Sequence, residues 1–116
     1  MTWIAEQPVT WVLASGARRE GRIAIGMPVA IADNEATCEY ALDGLEYVAG
    51  PMRGAHKMQA LCIALRFIGW KLHDFLAAGG RVLNEDGEDV SLKDVYGPLL
   101  APLAPLDPDP EALDER

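Results

Sequence analysis

Two histidines are the side chains of this sequence best suited to acid–base chemistry or metal binding. His56 and His73 lie 17 residues apart, within a stretch whose pattern predicts a single helix. A metal-binding pair on a helix needs a spacing of about four residues, because only then do both rings share a face. The sequence therefore predicts no metal site. It favours a partly exposed position at the helix start for His56 and a solvated position for His73.

The acidic and glycine-rich segments have the composition of functional loops but not their spacing. Aligning NEDGED with a calcium-binding EF-hand loop places Val82 and Lys93 at two ligand positions. GARREGR lacks the Lys-Ser/Thr pair that a phosphate-binding loop needs. Glu39 and Glu46 could act as an acid–base pair only if their face lined a cleft, and an exposed polar face is the simpler interpretation. The sequence therefore favours a protein without catalytic activity, cofactor or metal.

Length and composition predict one folded domain that positions these side chains. The chain has 116 residues, of which 50% are hydrophobic and 24% charged. A chain of that size buries roughly two thirds of the surface that its unfolded form exposes. Such values are typical of a globular domain and differ from those of disordered chains.

The charge is unevenly distributed along the chain. Residues 1–84 contain equal numbers of acidic and basic side chains, so the net charge of -8 arises from residues 85–116. This acidic balance argues against nucleic-acid binding, which depends on clustered Lys and Arg. The acidic end could instead steer a basic protein partner towards the molecule.

The cysteines and the N-terminal residues predict a cytoplasmic location. Cys38 and Cys62 have neither the spacing of a zinc site nor that of a redox motif, which is typical of a reducing compartment. The N-terminal residues lack the pattern of a secretion signal, and Arg66, Lys71 and Asp74 interrupt the longest apolar stretch. We therefore expect no signal peptide and no membrane span.

Alternating apolar residues predict an antiparallel sheet. Residues 9–13 and 22–27 indicate two strands joined by a short loop, and residues 81–84 indicate a further short strand. In CEYALDGLEYVAG, the dipeptide Asp43-Gly44 predicts a hairpin with a type I′ turn. The resulting register pairs Leu42 with Leu45, Tyr40 with Tyr47 and Cys38 with Ala49.

Residues 54–78 change to a helical period. Their apolar side chains recur at spacings of three and four, which predicts one amphipathic helix long enough to cross a four-stranded sheet. Gly79 and Gly80 indicate where this helix ends. The stripe expected to face the sheet consists of Met58, Leu61, Cys62, Leu65, Ile68, Leu72, Phe75 and Leu76.

Three further apolar residues, Ile63, Phe67 and Trp70, are expected roughly opposite that stripe at about 100° per residue. Leaving them in water would forgo roughly 1.5–3 kcal/mol each, so we expect them to form an interaction surface. The cover could be residues 96–106 folding back in cis, a second copy of the chain, or a different protein. The leucines assigned to this surface are Leu99, Leu100 and Leu103.

Three short segments share a further pattern: IGMP, CEYALDGL and the helix opening GAHKMQALCIAL. The residues that carry it are Ile25, Gly26, Pro28, Cys38, Tyr40, Gly44, Leu45, Gly54, Gln59, Ala60 and Leu61. With these residues the chain resembles a family of small bacterial proteins known as a domain of unknown function. His56 stands where the family pattern has Asp, which removes a carboxylate helix cap. The resemblance covers about residues 3–85, supports the fold and implies no reaction.

Together these observations predict an α+β domain in residues 1–95, with an antiparallel sheet of four or five strands packed on one long helix. Residues 96–106 would form an extended apolar tail, and residues 107–116 an acidic mobile terminus. The expected function is a small cytoplasmic protein-interaction module without catalytic activity, of the inhibitor or immunity type, able to form a homodimer. The alternative is a small-molecule-binding protein or enzyme with a pocket between sheet and helix, lined by Trp11, Tyr40, Tyr47 and His56.

Overall fold

The computed structural model describes residues 2–45, 51–92 and 95–97, and these residues form the predicted α+β fold. The described residues contain seven strands and one long helix, α1 (Lys57–Ala77), which lies between the last two strands in chain order. The strands are β1 (Trp3–Val12), β2 (Arg18–Gly26), β3 (Val29–Ala32), β4 (Glu35–Cys38), β5 (Tyr40–Asp43), β6 (Met52–Gly54) and β7 (Arg81–Leu83).

The strands are divided between two antiparallel sheets. Sheet A has four strands in the order β5-β2-β1-β7, and sheet B has three in the order β3-β4-β6. The chain leaves sheet B and enters sheet A at Glu39, whose carbonyl accepts a hydrogen bond from the Gly26 N–H at 2.7 Å. The predicted four-stranded sheet is therefore confirmed, and the second sheet is an addition that the sequence pattern did not indicate.

The turn after β5 differs from the predicted type I′ turn. The Leu45 N–H donates to the Leu42 carbonyl at 3.1 Å, and Gly44 has a φ of 91°. Asn34 is the only non-glycine residue in the described ranges with positive φ, so Asp43 has the negative φ of a type II turn. The predicted pairing of Cys38 with Ala49 is also wrong, because Cys38 pairs with Met52. Tyr47 and Ala49 lie outside the described residues.

The helix packs on both sheets through a narrower stripe than the sequence predicted. Ala60, Ala64, Ile68, Leu72 and Phe75 are buried on this face. The prediction is wrong for three residues of the expected stripe, since Met58, Cys62 and Leu76 are exposed. The alanines bring the helix close to sheet B, because a Cβ at Gly54 of β6 would lie 2.7 Å from the Ala60 nitrogen. Among the larger side chains of the first two helical turns, Met58 is exposed while Leu61 packs against the core.

Trp11 is the centre of the core of sheet A. Its side chain is fully buried, and the indole Nε1 donates a hydrogen bond to the Asp43 carbonyl at 2.7 Å. The Phe75 ring from α1 packs edge-on against the indole, with ring centroids 5.4 Å apart. Gly21 leaves room for this arrangement, because a Cβ there would lie 1.6 Å from the Asp43 oxygen. The inward face of sheet A is therefore tightly packed at the end where β1 meets β7.

Candidate functional site

The residues of the predicted surface on α1 lie outside its fully buried stripe. Ile63, Phe67 and Trp70 are half-buried, and Phe67 packs against the core. The Phe67 and Trp70 rings are 4.8 Å apart, and the Arg66 guanidinium lies 5.8 Å from the Trp70 ring centre. The indole Nε1 of Trp70 and the Nε of Arg66 are buried without a hydrogen-bond partner among the described residues. Leu99, Leu100 and Leu103, assigned to the same surface, lie outside the described residues.

The residues predicted to line a ligand pocket are not brought together around a cavity. Trp11 and Tyr40 are both fully enclosed in the core. His56 is exposed at the start of α1, and Tyr47 lies outside the described residues. Trp11, Tyr40 and His56 therefore do not line a common pocket.

His56 instead serves as the N-cap of α1. Its Nδ1 accepts a hydrogen bond from the Gln59 N–H at 3.2 Å, and the Gln59 Oε1 accepts one from the Ala55 N–H at 2.5 Å. The imidazole takes the N-cap place usually held by Ser, Thr, Asp or Asn, while Gln59 binds the N–H of the residue before the cap rather than the cap's own N–H, as it would in a capping box. Because Nδ1 accepts, the proton of the neutral ring lies on Nε2. The exposed ring satisfies the helix end, a structural role that accounts for its position.

An apolar cavity of about 230 Å³ does lie between sheet A and α1. The polar feature at its rim is a hydrogen bond from the Tyr96 hydroxyl to the Gln7 Oε1, which joins residues 89 positions apart. Burial raises the pKa of Tyr96, which keeps its hydroxyl protonated as a donor. The side chains and backbone around the cavity belong to Ala5, Glu6, Gln7, Ile23, Ala24, Ile25, Leu65, Ile68 and Tyr96.

The sequence contains a signal for this cavity that the analysis of periodicity did not use. Ala5 and Gln7 continue the inward face of β1 that Val9 and Trp11 occupy, since alternate residues of a strand share a face. A small residue and a polar residue therefore precede two large apolar ones on the same face. Sheet A is filled at the Trp11 end and underfilled at the Ala5 end, where the cavity lies.

The second candidate surface is the β3 edge, which we define as Met27 together with β3. All four residues of β3 are exposed, and the side chains of Met27, Val29 and Ile31 are 50%, 51% and 50% exposed. Among the described strands, β3 is the outer one of sheet B, so only one of its backbone edges pairs with a strand of residues 2–45 and 51–92. A register shift between Ala30 and Ala32 interrupts the pairing with β4.

The sequence analysis missed the β3 edge, although its turn carries a signal. Ala32 pairs with Glu35, so Asp33 and Asn34 form a two-residue connection between β3 and β4. Asn34 has a φ of 56°, a left-handed conformation that Asn adopts more readily than most residues. An Asp-Asn dipeptide between two short apolar runs is therefore a hairpin signal, weaker than Asn-Gly or Asp-Gly.

The outer face of sheet A is electrostatically balanced at its centre. The Arg22 Nε donates to the Asp43 Oδ2 at 2.6 Å, and a second ion pair joins Arg22 to Glu6 at 3.4 Å. The guanidinium also lies 4.8 Å from the Trp3 ring centre. The hydrogen bond to Asp43 raises the pKa of Arg22. Since Arg22 is paired with carboxylates, the Arg-rich segment does not present three free cations to a phosphate backbone.

The described residues offer neither a metal-binding cluster nor an activated thiol at Cys38. Within residues 2–45, 51–92 and 95–97, no group of three or more His, Cys, Asp or Glu side chains is placed to hold a metal ion. The Cys38 thiol is buried and donates to the Gly26 carbonyl at 3.3 Å, and burial raises its pKa. A thiol held protonated is a weak nucleophile, so Cys38 acts as a packing residue.

Comparison with models of known families, with characterised proteins and with solved structures found no match to the chain. The resemblance of its short segments to a family of small bacterial proteins therefore stays a prediction. Of the helices in the part of the chain that the structure describes, none is long and apolar enough to span a bilayer.

Proposed function

We propose that this chain is a cytoplasmic protein-interaction module without catalytic activity, and that the β3 edge is its contact surface. The observation that carries the proposal is a sheet-edge strand whose four residues are all exposed. Its two large side chains, Val29 and Ile31, are each about half accessible to water. Folded proteins usually cover or charge such an edge, because its unpaired backbone groups are a template for another strand.

The occupant of this edge is an extended segment of a partner protein that adds a strand to sheet B. In this mode, backbone hydrogen bonds supply affinity, and side chains at alternate positions supply specificity. The partner segment would place apolar side chains against Val29 and Ile31. The irregular pairing between Ala30 and Ala32 limits indiscriminate pairing, as bulged edges do in other sheets. The net charge of -8 favours a basic partner, as for an inhibitor or immunity-type protein.

Ile31→Lys tests this proposal, because a charged side chain blocks strand addition at an edge. The matched control is Met58→Lys, which places the same charge at an apolar side chain that is 65% exposed on α1. Tagged wild-type and variant chains are compared by capture from lysate of the native host, with each bound protein quantified by mass spectrometry. We expect Ile31→Lys to reduce capture of one protein at least tenfold while Met58→Lys retains it.

Two outcomes define the limits of the proposal. Equal capture by all three chains would show that the β3 edge is not the contact surface. Sedimentation velocity identifies self-association, since a wild-type dimer that becomes monomeric in Ile31→Lys would make a second copy the occupant. Folding of each variant is checked by its urea midpoint, which should match that of the wild type because both substituted side chains are exposed.

A second candidate function is the binding of a small apolar molecule, and the cavity beside Ile23, Ile25 and Ile68 favours it. Ligand sites are typically apolar cavities with a few polar groups, and here Gln7 and Tyr96 supply such groups. The volume of about 230 Å³ is smaller than the roughly 300–1,000 Å³ of typical ligand sites. The cavity therefore suits a small apolar group.

A further inference from the structure

The last described residues hold the end of the chain at the rim of the cavity. Residues 95–97 belong to a helical turn in which the Val95 N–H donates to the Ser91 carbonyl at 3.0 Å. Tyr96 contributes to the cavity wall, and its hydroxyl binds Gln7 of β1. The segment that begins at Pro98 therefore starts beside an apolar opening.

We propose that the segment directly after Gly97 folds back in cis and that the side chains of Leu99 and Leu100 occupy this cavity. Their distance along the chain permits it, since three to four residues span at most about 10–14 Å from Tyr96. The size also fits, because an apolar cavity of about 150 Å³ holds benzene and this one measures about 230 Å³. One or two leucine side chains would add dispersion contacts with Ile23, Ile25 and Ile68 in the cavity wall.

The sequence of the segment matches the chemistry of the cavity wall. PLLAPLAPL carries no charge, and the first acidic residue after it is Asp107. Prolines reduce the conformational freedom that docking would remove, so an extended segment loses less entropy on binding. The wall formed by Ile23, Ile25, Leu65 and Ile68 offers only aliphatic contacts. An uncharged leucine-rich segment is therefore a suitable occupant.

This docking site differs from the α1 surface that the sequence favoured for the same segment. Leu65 in the cavity wall and Trp70 are five positions apart on α1, which separates them by about 140° around the helix. The tail would therefore cover the side of α1 that faces sheet A and would not contact the side that carries Trp70. The docking also removes an apolar opening from the surface, so the β3 edge becomes the main accessible apolar site.

Nuclear Overhauser contacts in the full-length chain test the proposal directly. With Ile and Leu methyl groups labelled, we expect contacts from Leu99 or Leu100 to Ile23, Ile25 or Ile68. Leu106 and Leu113 serve as internal controls, because they lie farther along the chain and are expected to give no contact with these isoleucines. Methyl shifts of Leu99 and Leu100 at random-coil values, without such contacts, would overturn the inference.

An apolar fluorescent probe distinguishes occupation by the tail from an open ligand cavity. N-phenyl-1-naphthylamine is suitable because it is uncharged and is not repelled by the acidic terminus. We expect the full-length variant Leu99→Ser/Leu100→Ser to bind the probe at least tenfold more tightly than the wild type. The control Leu106→Ser/Leu113→Ser removes two leucines from the same tail and should bind as weakly as the wild type.

The location of the probe is checked by filling the cavity. Adding Ala5→Phe to Leu99→Ser/Leu100→Ser should abolish the gain in probe binding, because Ala5 lies in the cavity wall. Equal probe affinity in the wild type and both serine variants would overturn the inference. If that shared affinity is high and Ala5→Phe removes it, the cavity is open in the wild type and the small-molecule function gains support.

Discussion

Both sheets contain strands rich in apolar residues, but α1 covers those of sheet A and leaves β3 of sheet B exposed to solvent. In sheet A, β1 and β2 turn Val9, Trp11, Ile23 and Ile25 inward against α1, and all four are buried. In sheet B, α1 covers β4 but not β3, so Ala36 of β4 is fully buried while Ile31 is half exposed. The difference shows that an apolar strand in this chain is a core strand only where the helix reaches it. Beyond the helix, the same composition produces a surface.

Gly21→Ala is expected to have the largest effect, because it tests how tightly sheet A is packed. The added Cβ would lie 1.6 Å from the Asp43 carbonyl oxygen, which also accepts the Trp11 hydrogen bond. Both groups must move, and we expect the free energy of unfolding to fall by about 4 kcal/mol. Urea unfolding followed by tryptophan fluorescence measures this loss.

The matched change in sheet B is Ala30→Val, which adds two methyl groups to an exposed strand position. We expect its free energy of unfolding to lie within about 0.5 kcal/mol of the wild-type value. A loss of under about 1 kcal/mol in Gly21→Ala would mean that β2 and β5 shift freely. The contrast between a packed and an open sheet would then be wrong.

The same Ile→Ala change can be made once in each sheet, as Ile23→Ala in sheet A and Ile31→Ala in sheet B. Ile23 is buried between sheet A and α1, so truncation removes core contacts and should cost about 3 kcal/mol. Ile31 is half exposed at the β3 edge, so the same truncation should cost less than about 0.5 kcal/mol. Urea midpoints of the two variants provide the measurement. Equal losses would indicate that the β3 edge is covered in solution.

Sequence periodicity was sufficient to predict the strands with long inward faces and the helix. Val9 and Trp11 alternate with polar or small neighbours, and Gly79 follows the helix end. It did not predict which face of α1 meets the sheets. Ala60 and Ala64 are only weakly hydrophobic, and they lie on that face because their small side chains allow the helix to approach β6 closely. Met58 and Leu76 matched the period better and are nevertheless exposed.

The candidate sites were less predictable than the fold because each depends on distant residues. The cavity between sheet A and α1 is not lined by Trp11, Tyr40 or His56. Its polar rim depends instead on Tyr96 and Gln7, which meet across 89 positions of sequence. The β3 edge depends on where α1 stops covering sheet B, which no local pattern encodes. Trp11 was assigned to a pocket because it is aromatic, and only the position of Asp43 shows that its polar atom is satisfied within the core.

Residues of the three segments IGMP, CEYALDGL and GAHKMQALCIAL have structural roles in this chain. Gly54 permits close contact with Ala60, and Gln59 completes the helix cap. The Cys38 thiol and the Gly26 carbonyl are 3.3 Å apart where the chain passes from sheet B to sheet A. A motif built from such contacts preserves a junction between two sheets and a helix. It therefore implies the fold without implying a reaction.

The smallest predicted effect concerns the helix start beside sheet B. His56→Asp would replace the imidazole with a carboxylate that accepts the Gln59 N–H and interacts with the helix dipole. Since α1 has no acidic residue in its first turn, we expect the free energy of unfolding to rise by about 0.5 kcal/mol. His56→Ala should lower it by about 0.5 kcal/mol through loss of the cap.

Urea unfolding of both variants measures the helix cap, and His73→Asp is the control. His73 is exposed near the other end of α1, where an added carboxylate faces the negative end of the dipole and should not stabilise. If His56→Asp proved no more stable than His56→Ala, the cap would contribute nothing measurable. The contact of Gly54 with Ala60 would then be the main interaction joining β6 to the helix. A stabilising His56→Asp would instead show that a carboxylate caps α1 more effectively than the imidazole does.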